Sequence, residues 1–247
     1  MRNILLTVSY DGTFFCGWQR QDTSGGSKMR TVQEELEKAL EKLHGQKIIL
    51  YGSGRTDSGV HAAGQAANFF SPIDSIPVEN YPRALNSMLP PDVRVMEAHA
   101  VDEKFNARYN ATSRVYRYFM LCGSVPSAVQ TKYVWCVNRE PDIQKLNKLA
   151  SCLRGELDCV SFAAAGDKSL STCRYLENAR FFMQDAFPSG KLVVFEIEAN
   201  AFLWKMVRTV TGTLMQLEKE KADDSALLEI LQAKDRTKAG VTAPPQG

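Results

Sequence analysis

The sequence predicts an α+β protein made of two similar halves, and three observations carry that prediction. Short runs of alternating apolar and polar residues read as strands, and they are separated by stretches whose apolar residues recur every three or four positions, as in helices. The strand and helix signals follow the same order twice, with a join near residue 105, so the expected domains are 1–105 and 106–247. A chain of 247 residues, 44% hydrophobic and 23% charged, has the length and balance to bury one large core or two of ordinary size.

Residues 3–10 read as a strand, and Asp11-Gly12-Thr13 as a turn. Thr31 followed three residues later by Glu34 is a helix start, because the hydroxyl caps an orphan backbone N–H there. Leu36, Leu40 and Leu43 continue that helix on one face, and Gly45 ends it. Strands over 47–52 and 65–70 bracket a glycine-rich loop, and the ambiguous segment 22–28 reads as another loop. A helix over 78–88 stops at Pro90-Pro91, and a strand follows over 93–98. In the second half a strand covers 112–121 and a helix 141–154. A hairpin joins 174–183 to 191–199 around Pro188-Ser189-Gly190, with Val193, Phe195 and Ile197 facing one way and Glu196 and Glu198 the wet side. A long helix begins at Phe202, with Leu203, Met206, Val207, Val210, Leu214 and Leu217 toward the core, and another begins near Asp224. The resulting order, β-α-β-β-α-β, is that of a ferredoxin-like split unit, expected in both halves.

Composition excludes several function classes. The apolar run at Met1–Val8 is too short for a signal peptide, and no stretch approaches a membrane span, so a cytoplasmic protein without membrane contact is expected. The six cysteines contain no CxxC pair and the three histidines are scattered. They read as free thiols and isolated side chains, with no metal cofactor. The net charge of +2 does not by itself mark a nucleic-acid binder.

Chemistry is expected in residues 52–64, Gly-Ser-Gly-Arg-Thr-Asp-Ser-Gly-Val-His-Ala-Ala-Gly. In an extended chain Arg55 and Asp57 point the same way, and a guanidinium beside a carboxylate keeps it ionised. An ionised Asp open to a cleft can serve as nucleophile or general base. The Gly54-x4-Gly59 spacing is that of a phosphate-binding loop, but Val60-His61 replaces the required Lys-Ser/Thr. A second Asp-Thr/Ser-Gly is absent, which excludes an aspartic protease dyad. The plain alternative is an Asp/Gly surface turn.

Residues 104–118 hold Lys104, Arg108, Arg114 and Arg117 and no acid, with Phe105, Tyr109, Tyr116 and Tyr118 interleaved. Bases that neutralise phosphates and aromatics that stack on bases suit looped RNA, whereas the bland reading is a basic edge strand. On the long helix, Lys205, Arg208, Thr209 and Gly212 share a second face that is either solvated or bound to RNA.

The blocks Tyr10-Asp11-Gly12-Thr13-x-Phe15-x-Gly17-Trp18-Gln19, Thr31-Val32-Gln33, Gly54–Ala62, Asn86-x-x-Leu89-Pro90, Phe105-Asn106-Ala107-Arg108, Arg114-x-Tyr116-Arg117-Tyr118, Phe202-Leu203-x-x-Met206-Val207-Arg208 and Thr242-Ala243-Pro244-Pro245 occur in that order. Together they resemble the TruA family of tRNA pseudouridine synthases over nearly the whole chain. The resemblance implies a pseudouridine synthase fold, two ferredoxin-like units with antiparallel sheets flanking a central basic cleft. It implies conversion of uridines 38, 39 or 40 of the tRNA anticodon stem-loop to pseudouridine, without cofactor, in a homodimer. The catalytic aspartate maps onto Asp57, the arginine that holds or replaces the extruded base onto Arg55, the stacking tyrosine onto Tyr116 and the basic residue beside the aspartate onto Arg208. Lys205, Arg114 and Arg108 join them as substrate-binding candidates. Three places depart from the family pattern: Trp204-Lys205 stands where a Tyr-His-like pair is common, Asn106 where a histidine is common, and Gln246-Gly247 where a final apolar strand usually follows.

Two rivals belong to other classes. A non-catalytic RNA-binding protein would have no need of the Arg55, Asp57 and Tyr116 set. A nucleoside or glycoside hydrolase would usually use a second carboxylate.

Overall fold

In the computed structural model, which describes residues 1–21 and 29–247, the chain divides into two units, Met1–Ala111 and Thr112–Gly247. The loop expected over 22–28 lies outside the described residues. The first unit runs β1 (Arg2–Tyr10), α1 (Val32–His44), β2 (Tyr51–Gly52), β3 (Ala62–Ser71), α2 (Tyr81–Asn86) and β4 (Val93–Val101). Its sheet has the order β2-β3-β1-β4 with every neighbouring pair antiparallel. Ile4, Leu6, Val8 and Tyr10, alternate residues of β1, are buried against Val32, Leu36 and Leu40 of α1 and Tyr81 and Leu85 of α2. Thr31 caps α1 by accepting from the Glu34 N–H, and Gly45 closes it, as the sequence predicts.

Two elements are shorter than their patterns suggest. The strand expected over 47–52 pairs only at Tyr51 and Gly52. Ile48 and Leu50 are buried, but the Leu50 N–H donates to Glu37 Oε1 of α1 at 3.2 Å, so it is tied to the helix. The helix expected over 78–88 splits into a 3-10 turn, Val78–Asn80, and α2. Pro82 lacks an N–H and fits only the first turn of a helix, which sets the start at Tyr81. Beyond β4, Asn3 Nδ2 donates to the carbonyls of Asp102 and Phe105, both at 2.8 Å, and the Ala107 N–H donates to Asn68 Oδ1. These buried amides tie residues 102–107 to the first sheet, so the chain past residue 105 still belongs to the first unit.

The second unit runs β5 (Arg114–Cys122), β6 (Trp135–Val137), α3 (Ile143–Ala150), β7 (Gly155–Asp158), β8 (Cys173–Asp185), β9 (Lys191–Ala199), α4 (Met206–Lys219) and α5 (Ala226–Ala233). The sheet order is β6-β5-β9-β8-β7, with β6 parallel to β5 and the other pairs antiparallel. The expected strand, helix, hairpin and helix are present as β5, α3, β8–β9 and α4. The edge strands β6 and β7 were not expected: at three and four residues they are too short to show a period. The second half therefore does not repeat the first element for element. α4 also begins later than expected. Lys205 takes a left-handed φ of 59°, which separates the segment containing Phe202 and Leu203 from the helix at Met206.

Glu196 and Glu198 do not both face water. Glu196 is 6% exposed and is held between Arg117 Nε at 2.7 Å and Arg180 Nη2 at 2.7 Å. The hydrogen bond from Arg117, then that from Arg180, holds its carboxyl below the usual range against the opposing effect of burial. A depressed folded pKa means that this stability is present above the unfolded carboxylate value, about 4.3, and is lost as pH falls through the folded value. The gap in thermal midpoint between wild type and Glu196→Gln, measured by calorimetry, is expected to shrink from pH 7 to pH 3. A constant gap would show that the two arginines do not act through this charge.

Candidate active site

The Asp57 loop, residues 53–61, leaves β2 and re-enters the sheet at β3, and it is stitched at both ends. The Ser53 N–H donates to Ala66 O at 2.8 Å. Farther along, Thr56 O accepts from the Trp18 N–H at 3.2 Å, the Gly59 N–H donates to Phe15 O at 3.2 Å, and the Val60 N–H donates back to Asp57 O at 3.2 Å. The surface that receives the loop is the segment after β1, and its glycines explain the Tyr-Asp-Gly-Thr block. A Cβ on Gly12 would lie 2.0 Å from Val60 O. One on Gly17, whose φ is +92°, would lie 2.6 Å from Thr56 O. Two backbones meet here with no room for a side chain. The same segment is tied to α1: Gly17 O and Trp18 O accept from the N–H groups of Val32 and Gln33, which lack intrahelical partners. Thus the Tyr10–Gln19, Thr31–Gln33 and Gly54–Ala62 blocks, distant in sequence, form one assembly beneath Asp57.

The ends of that assembly carry further polar contacts. His61 accepts from the Gly12 N–H through Nδ1 at 3.0 Å, which assigns its ring proton to Nε2. Asp11 Oδ1 lies 3.2 Å from the same nitrogen and accepts from the Thr13 N–H and hydroxyl. Arg30 grips Asp92 with two bonds, of 2.6 and 2.8 Å, and stacks over Phe15. Asp57 itself is half-buried, and Arg55 is exposed. The turn that bonds the Val60 N–H to Asp57 O begins at Asp57 and carries the chain toward β3.

The other candidates lie in the second unit, except Arg108. Tyr116 is half-buried on β5 and meets Phe202 edge-to-face, with ring centres 5.1 Å apart. Arg114, two residues before it, donates to Asn200 O at 2.6 Å. Burial pulls its pKa down and Tyr116 opposes that. Arg208 donates from Nε to Ala243 O at 2.9 Å and receives the Ala243 N–H on its own carbonyl at 3.0 Å. The helix face shared by Arg208, Thr209 and Gly212 is therefore covered by residues 241–243 and is not an open polar face. Lys205 leaves that face: it precedes the helix and its ammonium sits 4.7 Å from the centre of the Trp204 ring.

The basic, aromatic segment also divides. Tyr109 is 78% exposed, with the Arg108 guanidinium 5.8 Å from its ring centre. Tyr118 is buried instead, donates to Pro244 O at 2.7 Å, and has its pKa raised by burial, so it is a core residue that cannot stack on a base. In the sequence Tyr10, Gly12, Gly17 and Trp18 belong to a block with no evident role, and Gln65 carries no signal. A Gly-x4-Gly spacing around an aromatic was the available signal. No group of three or more His, Cys, Asp or Glu side chains is placed to hold a metal ion among the described residues.

Comparison with known proteins bears on this assembly directly. A family model described as tRNA pseudouridine synthase matches residues 6–110 and 149–247. The chain is 54% identical to the tRNA pseudouridine synthase A of Treponema denticola over 246 residues, covering 100% of this chain and 90% of that protein. It is 49% identical to that of Treponema pallidum, covering 97% and 84%, and 41% identical to that of Thermoanaerobacter, covering 100% and 97%. The matched residues contain the Asp57 loop, the segment that seats it, α4 and the 241–243 cover, and on this breadth of agreement the chain belongs to the tRNA pseudouridine synthase family, the TruA-type isomerases that convert uridine to pseudouridine.

Proposed function

We propose that this chain isomerises uridines 38, 39 or 40 in the anticodon stem-loop of tRNA, with Asp57 as the essential carboxylate. The observation that carries the reading is the seat of Asp57: a half-buried acid on a loop whose backbone is bonded to β3 at one end and to the segment after β1 farther along. Such a frame suits a group that must meet a reacting carbon in one geometry. A surface turn has no need of it.

The reaction breaks the bond from uracil N1 to ribose C1′, turns the base and joins C5 to the same carbon. The hydrogen on C5 leaves to solvent and N1 takes one up, so atoms and electrons balance within the nucleoside and water. Asp57 either attacks C1′ or removes the C2′ proton to give a glycal-like intermediate, and both routes need the ionised carboxylate. The target must also leave its stack at a cost of a few kcal/mol. Tyr116 stacking on it would return about 1–3 kcal/mol. Arg55, exposed and close in sequence to Asp57, fills the vacated space. Arg208, Lys205, Arg114 and Arg108 meet phosphates.

The proposal includes a ferredoxin-like frame in each half, a homodimer and a cytoplasmic location. The β2-β3-β1-β4 order supports the frame for the first unit. No helix among the described residues is long and apolar enough to cross a membrane.

The test is an unmodified tRNA transcript carrying tritium at uridine C5. Release of label to water is expected, and mapping the product places it at 38, 39 or 40. Binding without release would favour the RNA-binding rival, and free uracil would favour a hydrolase.

A further inference from the structure

We infer that Tyr10 and Gln65 form a clamp that positions Asp57 for reaction, an inference that rests on Asp57 being the catalytic carboxylate. Tyr10 ends β1 and is 4% exposed, with its hydroxyl directed at the Asp57 loop. That hydroxyl lies 2.8 Å from Thr56 Oγ1 and donates to Gln65 Oε1 at 3.1 Å. A hydroxyl carries one proton. Having given it to Gln65, Tyr10 accepts from Thr56, so the chain of bonds runs one way, from Thr56 to Tyr10 to Gln65. Gln65 then uses Nε2 to donate to Gly54 O at 3.0 Å. Turning the amide over would place an oxygen against that carbonyl and a donor against the Tyr10 hydroxyl, so the network itself selects the orientation.

The clamp closes on both sides of Arg55, at Gly54 and Thr56, immediately before Asp57. Thr56 is held twice over, by its hydroxyl and by the Trp18 N–H on its carbonyl. Its successor therefore has little freedom to rotate its backbone. The far end of the clamp is rigid as well. Tyr10 pairs with Ala62 and Val93 in the sheet, and Gln65 belongs to β3. Neither side chain need touch the substrate. Their effect is to hold the carboxylate where the ribose carbon arrives, and a misplacement of about 1 Å can cost 100-fold in rate.

The test uses two variants of the full chain, assayed by tritium release against the intact tRNA transcript. Tyr10→Phe keeps the ring and removes both hydroxyl bonds. Gln65→Glu keeps an acceptor for Tyr10 and removes the donor to Gly54. Each is expected to lower kcat about 10- to 100-fold, with KM for tRNA within threefold and the thermal midpoint within a few degrees. Because both break one chain, the double variant should lose little more than either alone. Wild-type kcat in Tyr10→Phe, or losses that multiply in the double variant, would overturn the clamp. So would a fall in kcat matched by a collapse in thermal midpoint, which would make the pair merely structural. Asp57→Asn run alongside separates the two ideas: turnover there would overturn the catalytic assignment itself, whereas a dead Asp57→Asn beside a fully active Tyr10→Phe would overturn only the clamp.

Discussion

Replacing Asp57 with Asn is expected to reduce pseudouridine formation to background while tRNA affinity stays within a few-fold. Asn has the same size and keeps one oxygen, but it cannot attack a sugar carbon or take up a proton. A well-placed acid or base contributes about 10²- to 10⁴-fold, and a carboxylate that forms the intermediate contributes at the upper end or beyond. The fold should survive, because the loop is positioned through main-chain bonds at Ser53, Thr56, Gly59 and Val60 and through Tyr10 and Gln65. Binding should survive because RNA affinity comes chiefly from phosphate contacts spread over several cations. Tritium release and a gel-shift titration at fixed salt check both halves. Turnover within tenfold of wild type would move the chemistry to another residue. A matching loss of affinity would make Asp57 a binding group.

Gly212→Ala is expected to destabilise the second unit and to lower turnover with it. In an exposed helix this change is favourable by about 1 kcal/mol, since alanine is the better helix former. Here the sign reverses. The added methyl would lie 1.9 Å from Val241 O and 3.1 Å from the Ala243 N. Both neighbours are backbone, and the segment they belong to is fastened to α4. Thr209 and Thr242 share a bond of 3.1 Å, the Gly240 N–H donates to Thr213 Oγ1 at 2.9 Å, and Tyr118 holds Pro244 O at 2.7 Å. Overpacking of this kind costs about 1–3 kcal/mol, which lowers the midpoint of a chain this long by several degrees. The consequence for function follows from Arg208, whose guanidinium is anchored on Ala243 O. Pushing residues 241–243 away releases that anchor. Calorimetry with the tritium assay decides it, and an unchanged midpoint would mean that the segment yields freely and does not position Arg208.

Much of the fold, and a candidate for the site, could be read from the chain. Thr31, Glu34 and Gly45 bounded α1 correctly because capping is local chemistry, complete within four residues. The β8–β9 hairpin was placed by a turn and by alternation over long strands. The loop holding Asp57 stood out because two glycines flank its only acid. The edge strands β6 and β7 were not readable, since three or four residues hold no period. The start of α4 was misplaced because apolar spacing runs through Phe202 and Leu203, and nothing in that spacing shows that Lys205 turns left-handed.

Roles depended on distant neighbours to a greater degree. Tyr116 and Tyr118 look alike in a basic, aromatic segment, yet one is half-buried against Phe202 while the other is buried beneath Pro244. Arg208 and Gly212 shared a face that spacing left solvated or bound to RNA, and residues some thirty positions later cover it. Tyr10 and Gln65 lie 55 positions apart and meet only because β1 and β3 are adjacent. The sequence alone therefore determined the longer elements, the family and the acid on which the chemistry is expected to rest, because caps, turns and periodicity act between near neighbours. Tertiary structure alone decided which side chains hold that acid's loop and which arginine is anchored, because those contacts exist only once strands and segments remote in sequence are brought within hydrogen-bonding distance.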